Sequence, residues 1–234
     1  MLLFAPTYTP GLTALEVLPE PWLETLCQRF QTLTIVIKLH PHTAGRFPEW
    51  QALYQRLSAD HPRIVLVEDS DSNVYDLLPH ADILLTDVSS VAFNFLAFDR
   101  PIVFVDNPRR QASPRNEPDG LAWQWRNMGE RVTTLEELEQ AVGRALAAPD
   151  GLSQRRQAYR HMRFGDLLDG GAAARIATAI LHLVEPGEQQ RPYAGVLHNA
   201  LRSLCAAEQH NRQLQAALEA PASGSYSVQF TYKP

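Results

Sequence analysis

Residues 81–105 read ADILLTDVSSVAFNFLAFDRPIVFV. The stretch opens with an apolar run, Ile83-Leu84-Leu85, flanked by Asp82 and Asp87. A polar turn, Thr86-Asp87-Val88-Ser89-Ser90, leads into a helical stretch carrying Val91, Phe93, Phe95, Leu96 and Phe98. Asp99-Arg100-Pro101 stops it, and Ile102-Val103-Phe104-Val105 is a second apolar run. The order strand, turn, helix, strand predicts a short parallel crossover. Neither run alternates with polar residues, which suits strands covered on both faces. Ligands of such sheets bind at the carboxyl ends of the strands. Here that end carries Asp87, Ser89 and Ser90 just ahead of a helix. Two readings fit them: they cap the helix, or they and its free amides receive phosphate oxygens.

Working outward, Met1 to Ala5 reads as a short buried strand, and Trp22 to Gln31 as a helix. Leu33 to Leu39 is a β-branched strand, Phe47 to Ala59 a helix, Arg63 to Val67 a third strand and Asn73 to His80 a short helix. Strand and helix alternate through Val105, which predicts an α/β fold with a parallel sheet and right-handed crossovers. A polar loop, Asp106 to Gly120, follows, with Arg109, Arg110 and Arg115. Arg131 to Thr133 is expected as an edge strand. Thr134 with Glu137 signals a capped helix over Leu135 to Ala147. A basic helix, Leu152 to Arg163, and a last core helix, Ala172 to Val184, complete a domain expected to span residues 1–185. Residues 186–234 are expected as a helical extension and loose tail.

The 234 residues carry a net charge of −5, so any anion site must be local and nucleic acid is not an expected partner. Cys27 and Cys205 lie far apart with no zinc spacing, which points to a reducing, cytoplasmic setting. No run reaches the roughly 18 apolar residues of a membrane span, and the amino terminus lacks a signal-peptide pattern. Peripheral attachment at the inner face of the membrane stays open.

Lys38-Leu39-His40-Pro41 sits where a strand ends, so Lys38 and His40 point the same way. His40 can exchange a proton near neutral pH, and Lys38 can neutralise a phosphate; the alternative is an exposed loop histidine. His40 and His42 lack a third ligand at useful spacing, so no metal is expected, nor any cofactor. There is no G-x-G-x-x-G, no P-loop lysine and no G-x-S-x-G elbow. Arg109, Arg110 and Arg115 read as a solvated loop before they read as a diphosphate clamp. Arg155, Arg156, Arg160 and Arg163 read as a solvent face, and Trp123 and Trp125 as packing residues.

KLHP at 38–41 and LLTDVSSVAFNFLAFDRPIVFV at 84–105 resemble the C-terminal half of the CDP-glycerol glycerophosphotransferases, the teichoic-acid-type polymerases and primases. FAPT at 4–7 and DGGAAARI at 169–176 resemble the first strand and closing helix of that half. The resemblance covers about residues 1–185. It implies one Rossmann-like lobe of a GT-B fold that binds a CDP-linked donor. It implies that His40 is catalytic and that Lys38, Asp87, Ser89 and Ser90 hold the diphosphate, with a polymer or lipid-linked acceptor. Two positions depart from the family: Asn94 stands where an aspartate is usual, and Val88 where an aromatic is common. The family's acceptor lobe, with its second histidine, has no counterpart here, so a partner chain could supply it, and this chain alone is expected to bind donor but transfer poorly. A UDP-sugar glycosyltransferase or epimerase lobe, and a non-catalytic nucleotide-binding module, are the alternatives.

Overall fold

In the computed structural model, residues 1–68 and 73–184 are described. Six short strands form one parallel sheet: β1 (Leu2–Phe4), β2 (Ile35–Ile37), β3 (Ile64–Leu66), β4 (Ile83–Thr86), β5 (Ile102–Val105) and β6 (Glu130–Val132). Their spatial order is β3-β2-β1-β4-β5-β6. The chain therefore builds outward from β1 on one side, then returns and builds outward on the other. This is the doubly wound order, with its switch point between β1 and β4. Register across that point is Leu2↔Ile83, Leu3↔Leu84 and Phe4↔Leu85.

Nine α-helices lie among the described residues: α1 (Trp22–Arg29), α2 (Pro41–Arg46), α3 (Pro48–Asp60), α4 (Val74–Leu77), α5 (Val91–Phe95), α6 (Leu121–Gln124), α7 (Leu135–Ala147), α8 (Ser153–Phe164) and α9 (Ala172–Val184). The period-two alternation of strand side chains sorts them onto two faces. Leu2, Phe4, Ile35, Ile37, Ile83, Leu85, Val103 and Val105 share one core with Trp22, Leu23 and Leu26 of α1, Tyr54 of α3 and Leu138 and Val142 of α7. Phe4 meets Trp22 edge to face at 4.9 Å. The intervening residues Leu3, Leu84 and Phe104 are also buried, as are Phe95, Trp125, Met128 and Tyr159. Trp125 packs between Phe93 and Tyr159, as expected, while Trp123 is half-buried beneath the guanidiniums of Arg110 and Arg126. Gly129 lets β6 approach β5, because a Cβ there would lie 2.4 Å from the Ile102 carbonyl oxygen.

The crossover 81–105 forms as predicted, with α5 continuing into a 3-10 turn, Leu96–Phe98. Asp99 ends it in the left-handed conformation, φ 50°. Its carboxylate accepts from Ser153 Oγ at 2.6 Å and Arg156 Nε at 2.9 Å. That pairing corrects the solvent-face reading of α8: Arg156 is 1% exposed, while Arg155 and Arg163 do face solvent. α2 forms between β2 and α3, where no helix is expected. Met1–Asp169 forms one compact unit, and α9, at its expected span, belongs to a second that begins at Gly170. The tail expected over 186–234 lies outside the described residues, as do residues 69–72.

Candidate functional site

At the switch point, the carboxyl ends of β1, β2 and β4 open onto a cavity of about 370 Å³. Lys38 and His40 come from the end of β2, and Ser89 and Ser90 from the turn after β4; all four line it. Ala5 and Pro6 form its floor at the end of β1, and Tyr75 of α4 stands on the opposite wall. Strands that end side by side thus bring together residues about 50 positions apart in sequence, as a parallel sheet does at its carboxyl edge.

Asp87 is placed differently. It is fully buried and does not line the cavity. Its carboxylate accepts from the Thr7 N–H, 3.0 Å from both oxygens, and from the Ala14 N–H at 2.8 Å. Thr86 Oγ1 donates to the Ala5 carbonyl at 2.7 Å. Together these clamp the loop after β1 to the end of β4. Burial pushes the Asp87 carboxyl up to about 6, while the Ala14 and Thr7 amides and the Arg126 charge pull it down. A negative group beneath the floor suits fixing the loop better than contacting a diphosphate.

The helix-capping alternative can be judged at the hydroxyls themselves. Ser90 is the N-cap of α5 by position, yet its side chain makes no capping bond. Ser89 Oγ accepts the Val91 N–H only at 3.4 Å. Ser90 is exposed and Ser89 half-buried. Asn94 donates to the Ser90 carbonyl at 3.3 Å and to Tyr75 Oη at 3.4 Å. It so joins the turn to the opposite wall.

His40 is the N-cap of α2. Its Nδ1 accepts the His42 N–H at 3.2 Å, so in the neutral ring Nε2 carries the proton. Partial burial first, and the neighbouring His42 second, lower its pKa, which favours that neutral form. The Tyr8 ring lies 4.4 Å from the His40 ring. Among the described residues no group of three His, Cys, Asp or Glu side chains is arranged to hold a metal.

The three loop arginines line no part of the cavity. Arg109 pairs with Glu16 at 2.9 Å, Arg110 lies over Trp123 at 4.2 Å, and Arg115 donates to Tyr8 Oη at 3.4 Å. The arginine buried nearby is one that sequence reasoning missed. Arg126 is 3% exposed and sits between the rings of Phe104 and Trp123. It donates to Asp106 at 2.6 Å and to the Asp87 carbonyl at 2.6 Å. Its donors are spent on the scaffold, tying the end of β5 to the end of β4. Tyr75 was missed as well, because an exposed tyrosine in a four-residue helix carries no periodic signal.

The profile of the family described as CDP-glycerol:poly(glycerophosphate) glycerophosphotransferase matches residues 1–182. The chain belongs to this family. The teichoic acid glycerol-phosphate primase of Bacillus subtilis (strain 168) is 29% identical over 104 residues, which are 44% of this chain and 25% of that protein. A structure of the wall teichoic acid polymerase TagF superposes with a TM-score of 0.56 at 20% identity, over 78% of this chain and 42% of that one. A putative UDP-N-acetylglucosamine 2-epimerase from Listeria monocytogenes gives 0.51 at 19% identity, over 82% and 46%. At such identities these two share the fold, a Rossmann-like lobe of GT-B type. The chain spans about a quarter of the curated relative and about two-fifths of the TagF structure. Among the described residues, no helix is long and apolar enough to cross a membrane.

Proposed function

We propose that this chain is the donor-binding lobe of a transferase that moves glycerol phosphate, or a related polyol or sugar phosphate, from a CDP-linked donor to a cell-surface polymer. The observation that carries this reading is the meeting of Lys38, His40, Ser89 and Ser90 on one cavity at the switch point, in a chain of this family. Lys38 and the two hydroxyls offer a charge and donors to a diphosphate. Asp87 acts one layer below, as a positioning residue that holds the loop forming the floor.

In the reaction, an acceptor hydroxyl forms the new bond to the β-phosphorus of the donor. The bond from that phosphorus to the bridging oxygen breaks, and CMP leaves. His40, with Nδ1 already accepting from the His42 N–H, offers Nε2–H to an oxygen on which charge develops. It serves as a donor rather than as the base for the attacking hydroxyl, whose proton goes to a group on the acceptor side. That side belongs to a second lobe, in a longer chain or a partner chain. The acceptor polymer places the work at the inner face of the cell membrane, with this lobe in the cytoplasm.

Calorimetric titration of the 234-residue chain with CDP-glycerol, CDP and UDP tests the reading. The cytidine ligands are expected to bind, and Ser89→Ala/Ser90→Ala to weaken them about tenfold or more, since lost donors to a charged group cost about 1.5–3 kcal/mol. Tighter binding of UDP than CDP would favour a UDP-sugar enzyme instead, and binding of no nucleotide would overturn the assignment.

A further inference from the structure

The cavity has a neighbour that its own chemistry does not use. Tyr8, on the loop after β1, is the hub of a cluster drawn from three segments. The His42 ring lies 5.1 Å from the Tyr8 ring, the Arg46 guanidinium lies over it at 5.1 Å, and Arg115 reaches its hydroxyl at 3.4 Å. His42, Arg46 and Arg115 are all exposed. Among the described residues neither arginine has a carboxylate at ion-pair distance. The protein as a whole is negative, with a charge of −5. Against that background, two guanidiniums without a carboxylate partner, gathered on one aromatic ring, form a local positive site. Holding like charges together is unfavourable unless an anion is shared between them.

The cluster also stands in a telling place. Tyr8 contacts His40, a wall of the cavity, through rings 4.4 Å apart, while none of Tyr8, His42, Arg46 and Arg115 lines the cavity itself. The cluster thus touches His40 through the rings of Tyr8 and His42, at 4.4 and 5.1 Å, without entering the cavity. A polymer of glycerol phosphate presents a terminal hydroxyl and, one glycerol unit behind it, a phosphodiester anion. With the hydroxyl at the His40 wall, the first phosphodiester would fall outside the cavity, on this cluster.

We propose that Tyr8, His42, Arg46 and Arg115 form a second anion site that receives a phosphodiester of the acceptor polymer. The inference rests on the reading of the cavity as the donor site. It makes the acceptor's charge, as well as its hydroxyl, part of what this lobe recognises. The guanidiniums bind the phosphodiester, and Tyr8 fixes their spacing from His40.

The test is a calorimetric titration of the full chain with a short glycerol-phosphate oligomer that carries no nucleotide, at low and at raised salt. The oligomer is expected to bind, and salt to weaken it. Arg46→Ala/Arg115→Ala is expected to lose oligomer affinity about tenfold or more while binding CDP-glycerol as the wild type does. Ser89→Ala/Ser90→Ala should show the reverse. Both arginines are exposed, and matching thermal melts establish that the double variant is folded. Failure of the wild type to bind the oligomer, equal binding by the arginine variant, or loss of CDP-glycerol together with the oligomer would each overturn the second site. Polyglutamate that competes as well as the oligomer would overturn its preference for phosphodiesters. If CDP-glycerol binds nowhere while the oligomer still depends on Arg46 and Arg115, the donor assignment fails and the anion site stands.

Discussion

The sheet has a cavity at each end, and the two are nearly equal in size. The one at the carboxyl edge, about 370 Å³, is walled by Lys38, His40, Ser89, Ser90 and Tyr75. The one at the amino edge, about 340 Å³, lies between the start of β5, the end of α7 and the start of α8, against Pro101, Ile102, Ala145, Ala148 and Leu152. The polar groups at the amino edge are largely committed: Arg144 to Glu130, and Arg156 to Asp99. Equal volumes therefore carry unequal chemistry. Two serine hydroxyls with little structural duty mark one end, and a joint between helices occupies the other. What separates a site from a gap here is whether the polar atoms are already spent.

The largest effect that could break this contrast comes from Arg156→Ala. The guanidinium is buried, so its loss leaves Asp99 without its ion-pair partner and is expected to cost about 3–5 kcal/mol in urea unfolding. CDP-glycerol affinity of the folded fraction should be unchanged; a shift would mean that the two ends are coupled. Next is pH. The Asp87 carboxyl, raised to about 6 from an ordinary 3.8, stays protonated in the folded chain after it ionises in the unfolded one. Stability is therefore expected to fall as pH rises from about 4 to about 6, by as much as about 3 kcal/mol, and to level off above. Asp87→Asn should remove that slope. At neutral pH the variant carries no buried charge, and its amide oxygen can still accept from both Thr7 and Ala14, which meet at one carboxylate oxygen, so it is expected to be at least as stable as the wild type there. The smallest effect sharpens the polar end. Gly45 lies within α2 with open space where a Cβ would go. Gly45→Ala is expected to stabilise the chain by about 0.5–1 kcal/mol in thermal melts, with nucleotide affinity unchanged or slightly higher.

Much of the scaffold was legible because its signals are local. Unbroken apolar runs at 83–85 and 102–105 announced strands covered on both faces, and Thr134 with Glu137 announced α7, whose span, Leu135–Ala147, matches the expectation. The edge strand near Arg131 appeared as β6, parallel to β5. α2 was missed because Pro41 and His42 look like loop residues, whereas proline at the first helical position and His40 as N-cap start a helix. Lys38, His40, Ser89 and Ser90 were found as strand-end residues, and the fold brings them together. Asp87 was found for the same reason and lies beneath the cavity instead. Nothing local tells a carboxylate that binds loop amides from one that faces a ligand. Arg126 and Arg156 were invisible for a related cause. A buried arginine is defined by its partners, here Asp106 at 20 and Asp99 at 57 residues' distance.

The position of β1 has a consequence for how the chain reaches this state. β1 is three residues long and pairs with β2 some 33 residues later and with β4 some 81 later. It has no hairpin neighbour to fold against. As the chain emerges in synthesis, residues 1–66 can assemble the β3-β2-β1 half, but that half shows the open edge of a wholly apolar strand, Leu2-Leu3-Phe4, until Thr86 has been made. Loop closure over such spans is slow, and a bare apolar edge is the kind of surface that pairs with another chain. The crossover 81–105 that completes the cavity is thus also the element that closes the nascent sheet against misassembly.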